Sequence, residues 1–129
     1  MKRLVVLALV VFACSCGGSG TTVYTRAASA KCLAGQGIRA KAVSQSVDFV
    51  AWSAEGGSFR ATLPDNFVTV SFGPTAAKAD AIADAYRRFA AKNVGVSDVL
   101  RQQGNAVMLW HVHPSDTDVS TITGCLKGS

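Results

Sequence analysis

Between Ser58 and Phe72 the chain alternates apolar and polar residues twice, and just past Gly73-Pro74-Thr75 the period changes from two to that of a helix. This switch is the strongest constraint in the sequence. SFRATL (58–63) places Phe59, Ala61 and Leu63 on one face of a strand. FVTVSF (67–72) does the same with Val68, Val70 and Phe72. Pro64-Asp65-Asn66 turns the chain between them. Successive strand side chains point to opposite faces, so the two runs read as a hairpin with one buried side. VDFVAWS (47–53) is rich in strand formers and is separated from Ser58 by the turn signal Glu55-Gly56-Gly57. It reads as the first strand of a three-strand antiparallel meander.

Thr75 suits an N-cap. From it onward Ala79, Ile82, Ala83, Tyr86, Phe89 and Ala90 form one stripe at helical spacing, read as core. Asp80 lies near the start of this helix and Arg87, Arg88 and Lys92 near its end, as the helix dipole favours. Asp84 and Arg88 are spaced to pair at i,i+4, and Asn93-Val94-Gly95 ends the element. SDVLRQQ (97–103) and AVMLWHV (106–112) flank Gly104-Asn105, a two-residue connection of hairpin type. AVMLW does not alternate, so it is expected in the sheet interior with both faces covered. Thr25 to Leu33 reads as a short helix stopping at Gly35, and Asp116 to Lys127 as a last helix with Gly128 just beyond it.

The expected fold is therefore α+β: an antiparallel β-sheet of about five strands packed on one long helix, in the order β-β-β-α-β-β between two short terminal helices. A chain of 129 residues suffices for one such core.

The first residues belong to a different kind of segment. Met1-Lys2-Arg3 is cationic, and LVVLALVVFA (4–13) is an unbroken apolar run of ten. A membrane-spanning helix needs about 20 apolar residues, whereas the apolar region of an export signal needs about 7–15. Small and aliphatic residues before a cysteine, Val11-Phe12-Ala13-Cys14, resemble the lipobox of bacterial lipoproteins, with Ala13-Cys14-Ser15-Cys16 as a second register. The resemblance covers about the first twenty residues. It implies that Cys14, or alternatively Cys16, carries diacylglycerol. Two acyl chains anchor a protein stably where one is marginal. Gly17-Gly18-Ser19-Gly20-Thr21-Thr22 would be the flexible tether. The resulting division is 1–13 export signal, 14–24 lipid attachment and tether, and 25–129 folded domain. This places the domain at the outer face of the cytoplasmic membrane or elsewhere in the cell envelope, with plain secretion as the alternative. The Ala28-Ser29-Ala30 triplet has the form of a secretory cut site but lies well past the apolar run, within the first helix.

Cys32 and Cys125 remain, one near each end of the domain. Export puts them in an oxidising compartment, so they are expected to pair. Cys-Leu at both positions (Cys32-Leu33, Cys125-Leu126) resembles small bacterial exported domains, a likeness that brings no activity with it.

The formal charge is +5, and without Lys2 and Arg3 it is 11 basic against 8 acidic residues, or +3. This mild, unclustered excess does not form the basic stripe expected of a nucleic-acid binder. His111 and His113 are the only histidines. On one strand they would share a face and, with Asp116 or Asp118, could hold zinc or copper; otherwise no cofactor is expected. No serine lies in a G-x-S-x-G elbow, and no G-x-G-x-x-G or P-loop is present. Glu55 is the only glutamate. Trp110 lies within the apolar AVMLW run, while Trp52 lies beside a turn and is the better candidate for an exposed interaction residue. The sequence thus favours a monomeric, non-enzymatic binding domain whose envelope partner or ligand it does not specify. The alternatives are a secreted metal-binding protein or a small envelope hydrolase.

Overall fold

The computed structural model describes residues 22–89 and 95–129. Cys14 and Cys16, the apolar leader, Ala90, Lys92 and Asn93-Val94 lie outside the described residues. Among the described residues no helix is long and apolar enough to cross a membrane.

The fold is α+β. In chain order it comprises α1 (Arg26–Gly35), β1 (Ala40–Ala42), α2 (Phe49–Trp52), β2 (Ser58–Thr62), β3 (Phe67–Phe72), α3 (Ala76–Phe89), α4 (Val96–Val99), β4 (Leu100–Gln103), β5 (Ala106–Trp110) and α5 (Asp116–Gly124). The five strands form one sheet in the order β1-β2-β3-β5-β4, each paired antiparallel with its neighbour. β3 is hydrogen-bonded on both sides, and Val68 to Phe72 are all buried. β5 is also an interior strand, as its unbroken apolar run requires.

The sheet is covered on both faces. Phe59 and Ala61 of β2, Val68, Val70 and Phe72 of β3, and Met108 and Trp110 of β5 belong to one core cluster with Leu33 of α1 and Ile122 of α5. The rings of Phe59 and Phe72 lie 5.7 Å apart at a tilt of 52°. The alternation in SFRATL and FVTVSF is thus matched to the two terminal helices. These are joined by the Cys32–Cys125 disulfide, which spans 93 residues. The long helix α3 covers the opposite face, where Ala79, Ala83 and Tyr86 pack with Val107 and Leu100. Thr75 starts α3 by accepting from the Lys78 N–H at 3.1 Å.

Five local expectations are corrected. VDFVAWS is not a strand: Asp48 accepts from the Ala51 N–H at 2.9 Å and caps the single helical turn α2. The capping carboxylate outweighs the β-propensity of Val and Phe. The third strand beside β2 is instead β1, paired through Ala40↔Ala61. Ser97-Asp98-Val99 belongs to α4, so β4 begins only at Leu100. Phe89 is 71 % exposed and not core, because it ends α3 beyond the sheet residues that cover Ala79, Ala83 and Tyr86. On the same helix Asp84 pairs with Arg87 at 2.9 Å, one residue short of the expected Arg88. Finally, α5 stops at Gly124, and Gly128 forms a bridge with Tyr24 that draws the two ends of the domain together.

Candidate functional site

Strands that alternate with one face under the terminal helices must present their other residues to α3. On β2 they are Ser58, Arg60 and Thr62; on β3 they are Phe67, Thr69 and Ser71; on β5 they are Val107 and Leu109. This second face is far more polar than the first, yet Thr69 and Ser71 are buried. Toward Val107, α3 closes onto the sheet. Toward Phe67 it does not, and a cavity of about 610 Å³ opens between β2, β3, β5, α2 and the end of α3. Small-molecule pockets typically occupy about 300–1,000 Å³.

The walls are mainly aliphatic and aromatic. Phe49 and Val50 come from α2, Phe89 from α3, Val96 and Val99 from α4, and Leu109 from β5. The polar groups are few and each has a defined position. Arg60 lies over Phe67, its Cζ 4.5 Å from the ring centroid, and donates from Nε to Thr69 Oγ1 at 3.4 Å. On the other side of Phe67, which sits on the strand between β2 and β5, the His111 ring stacks at 4.3 Å and 16°. Asn66 holds that rim: its Oδ1 accepts from Phe67 N–H at 2.9 Å and Val112 N–H at 3.2 Å, and its Nδ2 donates to Val112 O at 3.1 Å.

The inner end of the pocket is built around Tyr86 and Asp48. The Tyr86 hydroxyl donates to Asp48 Oδ2 at 2.9 Å and lies 3.5 Å from Ser71 Oγ. One carboxylate therefore both caps α2 and ties it to α3. Burial pushes the Tyr86 phenol well above its ordinary range, and the negative Asp48 adds to the rise while Ser71 opposes it. The phenol stays protonated and remains a donor. At the mouth, Val47, Phe49 and Phe89 are more than half exposed, and Trp52, 51 % exposed, packs its ring 6.0 Å from that of Phe49. A contiguous apolar rim at the entrance of a pocket is characteristic of a binding groove.

The residues singled out by the sequence fall in three places. Cys32 and Cys125 form the disulfide on the opposite side of the sheet. Trp52 is exposed and packs beside Phe49 of the pocket mouth, while Trp110 is buried. The histidines do not share a strand face, because β5 ends at Trp110. His111 faces Phe67, and His113 Nδ1 lies 2.7 Å from Asp98 Oδ1. Asp116 and Asp118 sit in the first turn of α5, capped by Ser115, which accepts from Asp118 N–H at 3.1 Å. Among the described residues no three His, Cys, Asp or Glu side chains converge to hold a metal ion.

Asp48, Arg60, Phe67, Thr69 and Tyr86 escaped the sequence reading as site residues. The available signal was the second register of the hairpin: a cation and two hydroxyls at Arg60, Thr69 and Ser71 on the face that the long helix had to cover. Comparison with protein-family models, curated proteins and solved structures finds no match.

Proposed function

We propose that this chain is a non-enzymatic binding protein of the cell envelope whose domain takes an apolar small molecule into the pocket under α3. The observation that carries this reading is the 610 Å³ cavity itself, with an apolar wall, an apolar rim and a few fixed polar groups. The neutral fluorophore N-phenyl-1-naphthylamine is the probe. The folded protein is expected to bind it saturably at one site with a gain in fluorescence. Val96→Trp, which fills the cavity from α4, is expected to reduce that binding by an order of magnitude. Absence of saturable binding to the unmodified protein sinks the reading.

The leading segment adds a location: a lipid on Cys14, or on Cys16, would hold the domain at the membrane face, where apolar compounds are concentrated. Labelled palmitate is expected to enter the full chain and to be lost in Cys14→Ala but not in Cys16→Ala. Loss only in Cys16→Ala moves the attachment to the second register, and no label in the unmodified chain leaves plain secretion.

A further inference from the structure

The pocket's charges are not equally engaged. Both Asp48 oxygens are occupied, Oδ1 by the Ala51 N–H and Oδ2 by the Tyr86 hydroxyl. Arg60 is half-buried, and its guanidinium uses only Nε, toward Thr69. Among the described residues it forms no ion pair, and no acceptor meets its terminal Nη groups. A planar guanidinium with two free donor groups is suited to a two-point contact with a carboxylate or phosphate. Its position is also fixed. The Phe67 ring beneath it and the Thr69 hydroxyl beside it hold the cation at the pocket wall. Part of the ordering cost of that side chain is therefore met before any ligand arrives. From Arg60 the cavity continues over Leu109 toward Val96, Val99 and Phe89, all apolar.

Resting on the pocket reading above, we infer that Arg60 holds the anionic head of a single-chain amphiphile, a carboxylate or phosphate ester, whose apolar tail lies against Leu109, Val96 and Phe89. Charge complementarity selects this ligand class. A neutral apolar compound leaves the guanidinium half-desolvated without a partner, and a cationic one adds repulsion.

The test is displacement of N-phenyl-1-naphthylamine from the full chain by dodecanoate, dodecanol and acetate, below the aggregation range of the amphiphiles. Dodecanoate is expected to compete at least about tenfold better than dodecanol, the ratio for one charge-assisted contact. Acetate is expected not to compete, because the head alone gains no apolar burial. In Arg60→Met the ratio between the two twelve-carbon ligands is expected to fall to about one, measured against that variant's own affinity for the fluorophore. Arg60→Lys is expected to keep part of the preference, since charge without the planar fork retains attraction and loses the two-point contact. Equal competition by dodecanoate and dodecanol in the unmodified protein overturns the inference and leaves the pocket reading standing. It needs no variant that must fold. A preference for dodecanoate that survives in Arg60→Met with the fluorophore bound also overturns it. Failure of the fluorophore to bind the unmodified protein overturns both. Displacement by acetate alone would point to a site for small anions and would equally overturn the amphiphile.

Discussion

Replacing Cys32 and Cys125 together, as Cys32→Ser with Cys125→Ala, is expected to lower the stability of the domain by about 2–5 kcal/mol. The bond closes a loop of 93 residues, nearly the whole described fold. On the chain-entropy account a cross-link of that span removes roughly 4–5 kcal/mol of freedom from the unfolded chain. It joins two helices that each contribute few large side chains to the core, Leu33 from α1 and Ile122 from α5. Neither helix contacts the sheet extensively enough to be held without the other's company, so the loss is expected to show as early detachment of both ends. Urea unfolding followed by tryptophan fluorescence measures it, as does a fall in the thermal midpoint of at least about 10 °C. A midpoint equal to that of the unmodified protein would show that the terminal helices are held by packing alone. Binding of the apolar fluorophore is expected to survive in the folded variant, because the pocket lies across the sheet from the bond.

What the sequence made legible follows from how local each signal is. The alternation of Phe59, Ala61 and Leu63 with Val68, Val70 and Phe72 is a property of adjacent residues, and each of these six is buried. The stripe Ala79, Ala83, Tyr86 is equally local and equally buried. The pairing of Cys32 with Cys125 was accessible by a different route, from compartment and the presence of two domain cysteines. The errors share a physical origin. At 47–53 a single side-chain contact, Asp48 to Ala51, decided between strand and helical turn against the residue-by-residue preference. Phe89 has the right spacing for the stripe, but spacing does not reveal where the covering sheet ends. The pocket was least legible of all. Its members come from six elements or their flanks, and Asp48 meets Tyr86 across 38 residues of sequence. A period identifies which residues of one element face inward. It does not show that the inward faces of two elements fail to meet.

Asn105→Ala is expected to cost about 2–4 kcal/mol, well above what a hairpin-turn residue ordinarily carries. The sequence marks Gly104-Asn105 as a tight connection, where either residue could be needed for a left-handed backbone. Only Gly104 takes that conformation, at φ +55°, and a Cβ on it would stand 3.1 Å from the Tyr24 ring. Asn105 is there for its side chain. It is 2 % exposed, and its Oδ1 accepts from the Tyr24 N–H at 2.7 Å. Its Nδ2 donates to Tyr24 O at 2.9 Å and to Gly73 O at 2.8 Å. Its backbone oxygen accepts from Gly73 N–H at 2.8 Å. One amide thus fastens the β4–β5 hairpin to the β3–α3 turn and to the segment entering α1. Alanine removes three of these four bonds. The Tyr24 groups are half-buried and can turn to water, but the Gly73 carbonyl is buried and is left without its side-chain donor. Asn105→Asp keeps the shape and replaces both donors by an acceptor facing two carbonyls, so at neutral pH it is expected to destabilise more than alanine. Burial raises the pKa of such a carboxyl above its unfolded value. The deficit of the aspartate variant relative to alanine should therefore grow as pH rises through the ordinary carboxylate range and vanish below it. Equilibrium unfolding of the three proteins at two pH values gives the order. If alanine matches the unmodified protein, the side chain is dispensable and the segment at Tyr24 is held by its bridge to Gly128 and the Thr25–Lys127 backbone bond instead.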